Sequence, residues 1–147
     1  MSRPTASSQT TPELASVLRL AVLRAARRIR SQRVNTAVTL SQLSALATVD
    51  KCGPMSAGEL ATIERVQPPS MTKILSSLEQ EGWVERAPHP EDRRQSIISI
   101  TAAGQALLEA EIQARDSWLA QRLQDFSSDE LRILREAAVV LDRLGSE

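Results

Sequence analysis

Residues 55–101 read MSAGELATIERVQPPSMTKILSSLEQEGWVERAPHPEDRRQSIISIT, and the punctuation of this stretch decides the fold. Ser56-x-x-Glu59 is a capping box, in which hydroxyl and carboxylate each satisfy a backbone N–H that a helix start leaves unpaired. It opens a short helix expected to end near Glu64. "RVQP" makes a turn, after which Pro68 and Pro69 occupy the first turn of a second helix, where a missing N–H costs nothing. That helix is expected to run to Glu81, with Gly82 as its C′ residue. Met71, Ile74, Leu75 and Leu78 recur at i, i+3, i+4 and i+7 and must face a core. Pro69, Lys73, Ser76 and Gln80 lie opposite, flanked by Thr72 and Ser77. Two strand candidates follow, Trp83–Ala87 and Gln95–Ile100, joined by a loop carrying two prolines, two acids and two arginines.

A tight hairpin uses two central residues, so this connection is unusually long and stiff. Helix, turn, helix and hairpin in that order make the winged form of a helix-turn-helix. An α-helix fits the major groove of B-DNA, where short hydroxyl and amide side chains meet phosphates and base edges. Arginine suits a narrow minor groove, where the potential is most negative. A rigid loop would lower the entropy lost when Arg93 and Arg94 are held against DNA. Periodicity alone also allows a plain solvated helix face and a solvated turn.

On either side of this segment the chain is helical. From Pro12 to about Arg33, Leu14, Val17, Leu18, Ala21, Val22 and Ala25 share a face. Arg24, Arg27, Arg28, Arg30 and Arg33 crowd its C-terminal part, where cations complement the helix macrodipole. Thr39-x-x-Gln42 opens a helix to about Val49, which Gly53 and Pro54 stop. Thr101 caps a helix from about Ala102 to Gln124, and Ser127-x-x-Glu130 opens the last one, to about Leu144. Leu131, Leu134, Ala138 and Leu141 form an apolar seam there, and Leu107, Leu108, Ile112, Trp118, Leu119, Leu123 and Phe126 do the same on the helix before. This is more apolar helical surface than a small winged lobe covers. A second chain could bury it; the alternative is a helical hairpin folded on its own lobe.

Length and composition narrow the function classes. With 147 residues, 41% hydrophobic and 24% charged, the chain fits one domain or one module with helical extensions. Its apolar runs are too short for a bilayer, "MSRPTASSQTTP" is expected to be a disordered leader without a secretory signal, and a single Cys52 suits a reducing cytoplasm. Net charge is zero but uneven: residues 1–33 hold seven Arg against Glu13 alone, whereas residues 103–147 hold five basic and nine acidic side chains. Nucleic-acid binders are often basic overall, so the balance argues mildly against that class, although the field at a binding face depends on local placement. One histidine, one cysteine and no tyrosine supply neither a four-ligand metal site nor a nucleophile with its base, and no phosphate loop is present. The chain is expected to be no enzyme and to need no cofactor or metal.

The segment resembles the MarR family of bacterial transcription regulators, and the resemblance covers roughly residues 13–145. It is carried by Leu78-Glu79 with Gly82, Val84 with Arg86, Asp92 with Arg94, Ile100-Thr101 and Gly104, an ordered set at the family's spacings. The resemblance implies a mainly α fold with a small β-hairpin wing: a winged helix-turn-helix lobe at 39–101 and dimerisation helices at 13–35 and 102–145. It implies a homodimer that grips double-stranded DNA at a pseudo-palindromic operator, a transcriptional repressor released by a small aromatic or phenolic effector. Arg94, beside Arg93, would be the wing-tip arginine, and Asp92 the wing aspartate that orients an arginine. Thr72, Lys73 and Ser76 match recognition-helix positions that meet DNA, with Gln67, Pro69 and Ser70 at its N-terminal end. Gln67-Pro68-Pro69 departs from the family's usual small or polar residues, so phosphate binding there must rely on side chains. Family members that sense peroxide carry a cysteine near the N-terminus; Cys52 lies elsewhere and reads as an ordinary small residue. The alternative function is a winged-helix dimer acting as a protein–protein adaptor.

Overall fold

The computed structural model describes residues 10–146. The elements, in order, are α1 (Thr11–Arg30), α2 (Leu40–Cys52), β1 (Met55–Ser56), α3 (Ala57–Glu64), α4 (Pro68–Gln80), β2 (Val84–Pro88), β3 (Ser96–Ile100), α5 (Ala102–Leu123) and α6 (Ser128–Gly145). Most of the leader expected over residues 1–12 lies outside the described residues. Its last part is corrected, because Thr11 and Pro12 already belong to α1. The Glu13 carboxylate accepts the Thr10 N–H at 2.9 Å and so starts the helix earlier than the apolar pattern suggests. That bond holds the Glu13 carboxyl below the usual carboxylate range.

Side chains set the helix starts. The hydroxyls of Thr39, Ser56 and Ser127 each accept the N–H three residues on, and the partner Gln42, Glu59 or Glu130 reaches back. The Thr101 hydroxyl accepts the Gly104 N–H at 3.1 Å. Gly53 and Gly82 follow α2 and α4 with φ of 84° and 76°, a region closed to most side chains.

The expected two-stranded hairpin is one part of a three-stranded antiparallel sheet in the order β1-β3-β2. Met55 pairs with Ile98 and Ser56 with Ile97, while β2 and β3 pair from Val84↔Ile100 to Pro88↔Ser96. A two-residue strand has no readable period, and its residues are legible only as the start of α3. It nevertheless ties the hairpin to α3, because Ser56 is both the end of β1 and the cap of α3.

Two compact units emerge: residues 33–114, and a helical unit made of residues up to 32 and from 115 onward. The first is the winged lobe. Its core holds Val38, Leu46, Val49, Leu60, Met71, Leu75, Leu78, Val84, Ile98 and Leu108, all buried. The face of α4 predicted to be apolar is therefore the one that packs. Whereas the lobe was expected to end at residue 101, the first half of α5 belongs to this unit. Gly104 is the reason it can lie so close: a Cβ there would fall 2.2 Å from the Trp83 carbonyl oxygen.

Glu111, on the same half of α5, is buried, and its Oε1 accepts the N–H groups of Val34 and Asn35 at 3.2 and 2.9 Å. The Arg33 guanidinium lies 3.7 Å from its other oxygen and donates to the carbonyl of Val38. A helix-borne carboxylate thus pins the irregular segment at the start of the lobe to α5. The helical unit differs. Among its described residues none is buried, neither on α1 nor on α6 nor on the second half of α5. No helix among the described residues is long and apolar enough to cross a membrane.

Candidate nucleic-acid interface

The site is assembled from α3, α4 and the β2–β3 hairpin, all within the lobe. The α3–α4 turn is set by Arg65, whose left-handed backbone (φ 54°, ψ 44°) lets Val66 N–H return to Ala61 O at 2.9 Å. Glu64 closes the same corner by accepting the hydroxyls of Ser44 and Thr48 from α2. With α3 fixed in this way, α4 presents one face to the core and the other to solvent. Gln67, Pro69, Ser70, Thr72, Lys73 and Ser76 are all exposed.

The start of α4 is unusual. Gln67 is its N-cap but forms no side-chain cap bond, and Pro68 and Pro69 carry no N–H. Met71 N–H is already bonded to Gln67 O at 3.0 Å, which leaves Ser70 as the main-chain donor of the first turn. Phosphate contact at this end therefore falls to side chains. The Thr72 hydroxyl donates to Pro68 O at 3.0 Å, so toward a ligand it offers lone pairs.

On the wing, Arg93 and Arg94 are exposed and Asp92 is half-buried. The contact of Asp92 with an arginine runs through the main chain: its Oδ1 accepts the backbone N–H of Arg94 at 3.0 Å. The carboxylate shapes the turn from within and leaves the cations pointing outward. Among the described residues no carboxylate lies within ion-pair distance of Lys73, Arg93 or Arg94.

Two features escaped sequence reading. Arg86 on β2 donates to Glu79 at the end of α4 at 2.6 Å, tying the wing to the helix it follows. Their separation of seven residues crosses a turn, so no helical or strand period reveals it. The second is His89, whose Nδ1 accepts the N–H groups of both Glu91 and Asp92 at 3.1 Å. Between the wing and α3 runs an open groove of about 1100 Å³, lined among others by Met55, Ile63, Arg86 and Arg94, with the exposed Cys52 at its rim. No group of three or more His, Cys, Asp or Glu among the described residues could hold a metal.

Comparison with known proteins identifies the family. Residues 38–96 match the model of the MarR family. The chain is 30% identical over 98 residues to the multiple antibiotic resistance protein MarR of Escherichia coli, covering 66% of this chain and 68% of that one. It belongs to the MarR family. An HTH-type transcriptional regulator of Mycobacterium leprae is 47% identical over 134 residues, 91% of this chain and 94% of the relative. A cysteine-to-serine mutant of E. coli MarR, solved in complex with operator DNA, shares the fold with a TM-score of 0.60 and 24% identity, covering 87% and 92% of the two chains. For this member of the MarR family the likeness spans both units rather than the lobe alone.

Proposed function

We propose that this MarR-family protein is a homodimeric, sequence-specific DNA-binding transcriptional repressor. The observation that carries the proposal is the pairing of an exposed polar face on α4 with two wing cations that have no acidic partner among the described residues. Unneutralised guanidinium groups on an ordered loop are suited to phosphate and to the negative potential of a narrow minor groove. In this reading α4 enters the major groove through Thr72, Lys73 and Ser76, Gln67, Pro69 and Ser70 meet the backbone at its N-terminal end, and Arg93 and Arg94 reach the minor groove. Asp92 contributes through the turn it builds. That a protein of the same fold has been solved with operator DNA supports the DNA-binding reading.

Dimerisation is supported by the distribution of apolar surface. Of the seventeen exposed large hydrophobic residues, all but Val34, Leu40, Ile63 and Ile112 belong to the helical unit, among the described residues. Exposed apolar surface on that scale marks an interaction surface. A two-fold dimer would present two lobes to two half-sites, hence a pseudo-palindromic operator. Release by a small aromatic or phenolic effector completes the proposal.

The test uses a duplex selected from a random library on the full-length protein, followed by fluorescence anisotropy at two salt concentrations. Arg94→Ala is expected to weaken the selected duplex by about 1–3 kcal/mol. Lys73→Ala is expected to weaken selected and random duplexes alike and to reduce the salt slope by about one unit. If Arg94→Ala binds as tightly as the wild type at both salts, the wing is a solvated turn, and the protein-adaptor reading takes over.

A further inference from the structure

The wing tip, residues 89–95, is organised by two side-chain acceptors. Asp92 takes the Arg94 N–H, and His89 Nδ1 takes the N–H of Glu91 and of Asp92 itself. The main chain closes around them, with His89 N–H on Gln95 O at 3.2 Å and Gln95 N–H on Asp92 O at 3.1 Å. The order of dependence is thus His89, then Asp92, then the backbone of Arg94. Pro88 and Pro90 on either side of the histidine fix φ and carry no N–H, so few other groups can replace the ring as an anchor.

A backbone amide can only donate, so Nδ1 must carry a lone pair and the ring proton must sit on Nε2. An imidazolium has N–H on both nitrogens, and its Nδ1–H would point at two other donors. We propose that His89 is the positioning residue of the wing, and that it holds Arg93 and Arg94 ready for DNA only while its ring is uncharged. The inference rests on the DNA-binding reading above and assigns the chemistry that regulates it. The sign follows from the geometry: a proton gained at Nδ1 removes the acceptor of both amides, so wing order belongs to the neutral ring and is lost when acid charges it.

The charged groups around the ring belong to the hairpin and its neighbour: Glu91, Asp92, Arg93 and Arg94 in the loop, Glu85 and Arg86 on β2, none on β3, and Glu59 of α3 on the groove that Arg94 also lines. None forms an ion pair with His89 among the described residues. A ring that merely gained charge near DNA would bind phosphate more tightly at low pH. A ring that organises the wing does the opposite, so the direction of the pH profile separates the two.

The experiment uses the full chain and the selected duplex, at pH 7.5 and 5.5 and constant ionic strength, with His89→Asn as the conservative variant. An asparagine oxygen can accept the N–H two residues on without titrating. Wild-type affinity is expected to drop roughly fivefold or more on acidification, on the scale of one net hydrogen bond, while His89→Asn stays within about twofold. His89→Ala is expected to be weak at both pH values. In the DNA-free protein, the amide resonances of Glu91 and Asp92 should shift with pH in the wild type and not in His89→Asn. Tighter wild-type binding at pH 5.5, or the same profile in both proteins, overturns the proposal. If no duplex binds at pH 7.5, the DNA reading itself fails, and the amide resonances decide the positioning role: a wild-type transition upholds it and its absence overturns it.

Discussion

The lobe and the helical unit are built from similar residues and solve the burial problem differently. Leu46, Leu60, Leu75 and Ile98 of the lobe have no measurable exposure, whereas Val139 and Leu144 of α6 are 67% and 69% exposed. The lobe is a finished object: helices, sheet and loop connection close on one core. The helical unit presents apolar seams with nothing among the described residues over them. The difference teaches that amphipathicity says a face will be covered and leaves open by what. In the lobe the answer lies in the same chain; in the helical unit it lies in a second copy, under the reading proposed above.

The contrast can be broken most directly by removing α6. Deleting residues 129–147 is expected to give an aggregating or unfolded chain, while the intact protein sediments at about twice its 16.1 kDa chain mass. A well-folded monomer from the truncation would mean that the frame is complete by itself.

Next in size is Glu111→Ala, which removes the carboxylate beside the Arg33 guanidinium and leaves two amides without their acceptor. A loss of about 3–5 kcal/mol in urea unfolding is expected, as for breaking other buried charge pairs. Glu111→Gln should cost clearly less, since one oxygen can still accept. Equal losses would mean that charge rather than the amide bonds matters.

A third test sharpens the comparison by concentration. Leu75→Ala should lower stability by about 2–5 kcal/mol at every protein concentration, because its neighbours are all in one chain. Ile133→Ala should instead cost less as the concentration rises, since mass action restores the dimer. A concentration-independent loss for Ile133→Ala would place that residue in a core of its own chain. The smallest effect is expected at the groove rim: Cys52→Ser should stay within about 0.5 kcal/mol in stability and leave the response of DNA binding to mild peroxide unchanged. Peroxide release of the wild type alone would show Cys52 to be a sensor.

Much of this was legible in the residues, and for physical reasons. Capping boxes are local, so Thr39, Ser56 and Ser127 marked three helix starts that the structure reproduces. The apolar period of α4 identified Met71, Leu75 and Leu78 as core, and thereby its outer face. What stayed hidden depends on contacts between residues distant in the chain or on loop geometry. Strand β1 exists only because β3 runs beside it. Glu111 is one more acid on a charged helix until residues 34 and 35 reach it. The resemblance made Asp92 the residue that orients a wing arginine, but sequence cannot show that the contact runs through the Arg94 backbone amide. His89 passed as a lone histidine for the same reason.

The Glu111 contact has a kinetic corollary. Val34 and Asn35 lie in a connection without helix or strand, where amides ordinarily trade their protons with solvent within the time of local fluctuation. Held by a buried carboxylate, these two should instead exchange in deuterated buffer at rates close to those of the lobe core, because releasing them requires the first half of α5 to part from the rest of the lobe. The segment that leads into the lobe would then behave, on the exchange timescale, as part of its most slowly opening region, although nothing in its local conformation distinguishes it from a loop.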